Sequence, residues 1–151
     1  MPKVSLKKIN SLKKKRVGIS ALTSYDASFA RLADDCGIDI ILVGDSLGEV
    51  IQGHSNTHSV TINDMCYHTE IVSRSIQKAF LIADMPKGSY ETKSHALKNA
   101  KKLVGDNMAD MVKIEFNGKD AHIIEHLISN NIPVCSHIGV LPQTSSNRKD
   151  Y

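Results

Sequence analysis

Cysteine is scarce in this chain and poorly spaced for bonding. The three residues, Cys36, Cys66 and Cys135, are odd in number and far apart, so neither a disulfide framework nor a CxxC zinc site is expected. They read as reduced core thiols. No apolar run approaches the roughly 20 residues that cross a bilayer, and no secretory apolar stretch opens the chain. A soluble, cytoplasmic protein with no membrane partner is expected. Excess charge is small, at +3, and sits largely in Lys7, Lys8, Lys13, Lys14, Lys15 and Arg16. No aromatic residues interleave this cluster, so it reads as a solvated helix face and no nucleic-acid partner is expected. What is present, 151 residues with 41% hydrophobic and 23% charged side chains, suffices for a single domain over 1–151.

One unit recurs along the chain. Residues 16–23 (RVGISALT) read as a strand, after which Ser24, Tyr25 and Asp26 offer a helix N-cap ahead of an apolar stripe at Phe29, Leu32, Ala33 and Cys36, with Gly37 as the stop. Strand-like residues 38–43 lead into a long loop rich in Gly, Ser, Asn and His, and Thr61 to Asp64 then form a variant capping box. The helix after it shows Ile62, Met65, Cys66, Thr69, Val72 and Ile76 on one face. A third strand at 79–83 precedes a helix with Ala96, Ala100, Leu103 and Val104, and a fourth at 111–116 precedes Ile123, Ile124, Leu127 and Ile128. A fifth strand is expected at 132–138. Such βα alternation, with strands apolar on both faces, is the pattern of a parallel α/β sheet with right-handed crossovers.

Polar residues recur at one place in these units. Asp45 and Ser46 follow the second strand, Asp84 the third, Glu115 lies near the end of the fourth and His137 near the end of the fifth. Carboxyl ends of parallel strands are where such folds build sites. One aspartate after a strand is ordinarily a turn or cap residue. Several convergent carboxylates are costly to bury without a cation, and all-oxygen ligands lacking Cys or a close His pair favour Mg²⁺ over Zn²⁺. Lys113 and Glu115, two apart on a strand, face the same way. The lysine reads either as a partner for a substrate carboxylate or as one half of an ion pair with Glu115 or a neighbour.

The segments ALTSYDASFARLAD, VGDSLGEVIQGH, VTINDMCYHTEIVSR, LIADMPKGSY, MVKIE and VCSHIGVLPQ together resemble, in order and spacing, the 3-methyl-2-oxobutanoate (ketopantoate) hydroxymethyltransferases, which open pantothenate biosynthesis. The resemblance implies a (β/α)8 TIM barrel in which Asp45, Asp84 and Glu115 hold Mg²⁺. It implies a 2-oxoacid, 3-methyl-2-oxobutanoate, chelated through its carboxylate and keto oxygen, with Asp45, Ser46, Asp84, Lys113 and His137 as the substrate-binding set. It further implies attack of the enolate on 5,10-methylenetetrahydrofolate as co-substrate, and a homo-oligomer.

Three departures lie near the implied site: His58-Ser59 in place of the family's usual Leu-Pro, Lys87 in place of an aromatic residue, and Phe116 in place of a common glycine. The terminal TSSNRKDY departs from a glycine-rich continuation. A full barrel of this type takes about 250 residues, so an incomplete barrel of about five βα units is expected, open at its first and fifth strands. The family's general-base glutamate would lie beyond residue 151, and a split gene, a gene fragment and a degraded copy all fit. Alone, such a chain is expected to associate and to lack normal turnover. Two other functions fit the same pattern. One is a Mg²⁺-dependent carbon–carbon lyase acting on a 2-oxoacid, which should carry a KKC-like loop where residues 101–103 read KKL. The other is a non-catalytic ligand-binding fragment.

Overall fold

A computed structural model describes residues 2–105 and 108–144. Five strands, β1 (Ala21–Thr23), β2 (Ile40–Val43), β3 (Phe80–Asp84), β4 (Met111–Glu115) and β5 (Val134–His137), form one parallel sheet in sequential order. Six helices accompany them: α1 (Leu6–Lys14), α2 (Ala27–Asp35), α3 (Leu47–Val50), α4 (Ile62–Ser75), α5 (Lys93–Leu103) and α6 (Ala121–Ser129). Both α1 and the short α3 come in addition to the four helices read from periodicity. The basic cluster falls on α1 and the turn after it, and no residue of that helix is buried. Among the described residues no helix is long and apolar enough to cross a membrane.

Strand alternation gives the sheet two different faces. Ile41, Val43, Leu81, Ala83, Val112 and Ile114 join the main core beneath the helices. Phe80, Ile82 and Met111 make a smaller cluster on the other face, with Val4 and Ile9 of the N-terminal segment packed against it. β4 begins at the expected residue, whereas β1, β2, β3 and β5 begin one to five residues later than expected. Pro133 explains one case, since it has no N–H to give the ladder and pairing with β4 is regular only from Val134.

Two sequence expectations need correction. In α2 the buried residues are Ala30, Ala33 and Asp34, while Phe29 and Leu32 are 67% and 58% exposed. Asp34 rather than an apolar side chain takes the inward position because its carboxylate accepts from the N–H groups of Gln77, Lys78 and Ala79 at 2.7–3.0 Å. The cysteines are free, yet Cys36 is exposed and Cys66 and Cys135 are half-buried, so none is a fully buried core thiol. By contrast α4 follows its pattern. Thr61 and Asp64 close a reciprocal capping box, and Met65, Thr69, Val72 and Ile76 are buried.

Carboxylates also brace the opposite end of the sheet. Asp39 accepts from the backbone and hydroxyl of Ser20 at 2.9 Å each, joining the approach to β1 to that of β2. Asp110 accepts from the Leu81 N–H at 2.8 Å and pairs with Lys3 at 2.7 Å. The amino ends of the strands are therefore tied by saturated side chains, which leaves the carboxyl ends for chemistry.

Candidate active site

Gly44, the residue after β2, has no side chain to obstruct its neighbours, and a Cβ there would lie 2.8 Å from Ser46 Oγ and 3.5 Å from Asp84 Oδ2. Beside it the Asp84 carboxylate reaches across the end of β2 and accepts the Asp45 N–H at 3.1 Å. In the β3–β4 register Asp84 lies opposite Lys113, and the Lys113 ammonium stands 2.6 Å from Asp84 Oδ1. The contact is a buried ion pair in which burial raises the Asp84 pKa while both the charge and the hydrogen bond of Lys113 act to lower it. Of the two expectations for Lys113, an ion pair is present and its partner is Asp84. Glu115, opposite His137 in the β4–β5 register, accepts the Gln143 N–H on both oxygens at 3.1 and 3.2 Å. Ser46 Oγ lies 2.8 Å from the Tyr25 hydroxyl.

All six expected site residues, Asp45, Ser46, Asp84, Lys113, Glu115 and His137, line one cavity of about 500 Å³. Glu49 lines it as well, so that among the described residues Asp45, Asp84 and Glu115 share the pocket wall with the Lys113 ammonium and a fourth carboxylate. The imbalance shows in the proton affinities. Burial, and then the Asp84 charge, raise Asp45 to about 6. Burial raises Glu115 to about 7, with the Asp45 charge adding to it against the Gln143 hydrogen bond. Asp84 is raised by burial despite Lys113. His137 is lowered, first by burial and then by Lys113, and its Nδ1 is buried without a partner.

Buried carboxylate oxygens in which the Asp84 charge raises Asp45, and both raise Glu115, are the donor chemistry of a hard divalent cation, which fits Asp45 and Asp84. Among the described residues no three His, Cys, Asp or Glu groups stand as a ready-made metal site. The expected trio shares a pocket, then, but not a preformed coordination shell, and Gln143 lies between its members: its Nε2 donates to Asp45 Oδ2 at 2.8 Å while its backbone donates to Glu115.

Tyr25 and Gln143 were not among the expected site residues. Both lie inside segments that carry the resemblance, but nothing in their spacing reveals contacts made across 21 and 98 residues. Two of the departures touch each other. His58 donates from Nε2 to the Pro142 carbonyl at 3.1 Å, and the Lys87 ammonium donates to His58 Nδ1 at 3.3 Å. The third, Phe116, donates its N–H to the His137 carbonyl at 2.8 Å, continuing the β4–β5 pairing. Of the terminal TSSNRKDY, residues 145–151 lie outside the described residues.

A family model described as ketopantoate hydroxymethyltransferase matches residues 3–151. Curated relatives named 3-methyl-2-oxobutanoate hydroxymethyltransferase include that of Nitrosococcus oceani, 46% identical over 95% of this chain and 54% of the relative. That of Dechloromonas aromatica is 50% identical over 83% of this chain and 46% of its own length. The chain thus spans about half the length of the curated relatives it matches. Among solved structures, 2,3-dimethylmalate lyase, a PEP mutase/isocitrate lyase superfamily member, aligns with a TM-score of 0.64 at 16% identity over 86% of this chain and 51% of that one. Oxaloacetate acetylhydrolase aligns with a TM-score of 0.64 at 14% identity over 90% and 53%. These two share the fold, and the four described βα units with their fifth strand are those of an incomplete barrel of this class.

Proposed function

The chain belongs to the ketopantoate hydroxymethyltransferase family, and we propose that its 500 Å³ cavity is the 2-oxoacid site of a cytoplasmic 3-methyl-2-oxobutanoate hydroxymethyltransferase. The observation that carries this reading is the convergence of Asp45, Asp84, Lys113, Glu115 and His137 from the ends of four consecutive strands on one pocket. Mg²⁺ would be held by Asp45 and Asp84, with Glu115 beside them. When bound, it supplies Lewis-acid polarisation of a keto oxygen, which a weakly acidic C–H next to a ketone requires.

The chain's own residues supply binding and orientation. Lys113 is the one ammonium among the described residues that line the pocket. Its link to Asp84 puts a positive charge where a substrate carboxylate can take over part of the pairing. Ser46, held by the Tyr25 hydroxyl at 2.8 Å, offers a hydroxyl to the same carboxylate. His137 is held neutral by burial and by Lys113, so it presents an uncharged imidazole at the pocket wall. None of these residues is assigned as the base that removes the C3 proton. The co-substrate is 5,10-methylenetetrahydrofolate, whose methylene carbon is the electrophile, and the assembly is a homo-oligomer or one that includes a C-terminal half.

The test is ligand-observed NMR of 3-methyl-2-oxobutanoate with the full chain, with and without Mg²⁺, and with Asp84→Ala and Lys113→Met. Binding should require Mg²⁺ and fall at least about tenfold in each variant, as for loss of a charge-assisted contact of about 1.5–3 kcal/mol. Mg²⁺-independent binding untouched by either substitution would refute the reading.

A further inference from the structure

Gln143 lines a neighbouring cavity that shares Glu115 with the pocket; it lies behind the pocket, bonded to groups at the ends of β2, β3 and β4, and was not among the expected site residues. It is 3% exposed. Its Nε2 donates to Asp45 Oδ2 at 2.8 Å and to the Met85 carbonyl at 2.9 Å, and its Oε1 accepts from the Tyr90 hydroxyl at 2.6 Å. Its N–H is shared by the two Glu115 oxygens. The amide has one workable orientation, because exchanging its oxygen and nitrogen would set a carbonyl against both the Asp45 carboxylate and the Met85 carbonyl. Both amide hydrogens are used, and the side chain is held from three directions. A buried, satisfied network of this kind fixes one rotamer for each member.

We propose that Gln143 is a positioning residue for a divalent cation: by gripping Asp45 from the segment after β5 and Glu115 through its own backbone, it holds the Asp45 carboxylate in place beside Asp84. The inference rests on the cation site proposed above. Groups that orient a metal-binding carboxylate commonly change affinity by about 10- to 100-fold when removed. A glutamine that merely filled space would leave cation affinity alone when replaced by an unbranched side chain of similar length.

The test is Mn²⁺ titration of the full chain, followed by loss of the free-ion EPR signal, for wild type, Gln143→Met, Tyr90→Phe and Asp45→Asn, with metal-free melting curves alongside. Gln143→Met should weaken Mn²⁺ binding by about 10- to 100-fold. Tyr90→Phe, which frees only the Oε1 anchor, should weaken it less and in the same direction, and it decides the matter if Gln143→Met does not fold. Full Mn²⁺ affinity in both variants, with binding lost in Asp45→Asn, would overturn the role of Gln143 and leave the cation site standing. Unchanged binding in Asp45→Asn would overturn the cation site itself, and the role of Gln143 with it.

Discussion

The main chain of Asp45 holds the side chain of Asp84: one carboxylate residue donates its N–H to the other's Oδ2 across 3.1 Å. The two acids are thereby set side by side by backbone geometry, and a Cβ at 44 would press on the Ser46 hydroxyl at 2.8 Å while only touching Asp84 at 3.5 Å. Burial raises both pKa values, and for Asp45 the neighbouring Asp84 charge adds to it, while the Asp45 N–H holds Asp84 lower than burial alone would.

Gly44→Ala and Gly48→Ala should therefore fail differently. A Cβ at 44 meets the Ser46 hydroxyl, which can rotate, whereas one at 48 meets Val60 Cγ2 at 2.6 Å and the Asn56 carbonyl at 3.3 Å. Gly44→Ala should cost no more than about 1.5 kcal/mol of stability, the scale of the Tyr25–Ser46 hydrogen bond, yet impair ligand binding. Gly48→Ala should cost about 1–3 kcal/mol through overpacking. Urea melts paired with ligand titrations would show the crossover.

The pocket carboxylates make stability depend on pH. Asp45 at about 6 and Glu115 at about 7 lie above the ordinary carboxylate value of about 4, so between those values the folded chain holds more protons than the unfolded one. Their contribution is complete below the ordinary value and is lost as pH rises through 6 to 7. For the metal-free chain, thermal melting midpoints should fall steadily from about pH 5.5 to 7.5. Mg²⁺ should restore stability at the upper pH and do little at the lower.

Asp34 should behave in the opposite sense at the far end of the sheet. Burial opposes its charge, but bonds from the N–H groups of Gln77, Ala79 and Lys78 win and lower its pKa. Asp34→Ala should cost about 2–4 kcal/mol by leaving those donors unpaired, with ligand binding by the folded fraction unchanged. That difference should persist above the ordinary carboxylate range and shrink as pH falls through the lowered value. Urea melts of wild type and variant across acidic pH would check it.

How much of this was legible beforehand differs by element. The α4 capping box and its buried stripe could be read directly, because cap chemistry and periodicity are both local there. The convergence of Asp45, Asp84, Glu115 and His137 was also legible, since strand ends in a parallel sheet share one rim. The buried face of α2 was not: Asp34 holds a core-facing position that hydrophobicity assigns elsewhere, and its reason lies 43–45 residues away. Gln143 was hidden for the same reason, as its partners come from β2, β3 and β4 and only the folded sheet brings them together.

His58 and Lys87 form a second tie on the segment that carries Gln143. His58→Ala removes the donor to the Pro142 carbonyl and the acceptor for Lys87. His58 is half-buried, and global stability should fall by about 0.5–1.5 kcal/mol, the net scale of one hydrogen bond, while local opening at Gln143 becomes easier. Hydrogen exchange should show the Gln143 amide speeding up several-fold, with α4 amides unaffected.

Anomalous diffraction from crystals of the chain grown with Mn²⁺ tests the central claim most directly. The account predicts one strong peak touching both Asp45 and Asp84, with Lys113 drawn away from Asp84. A peak elsewhere, or none at a Mn²⁺ concentration that saturates binding in solution, would contradict it.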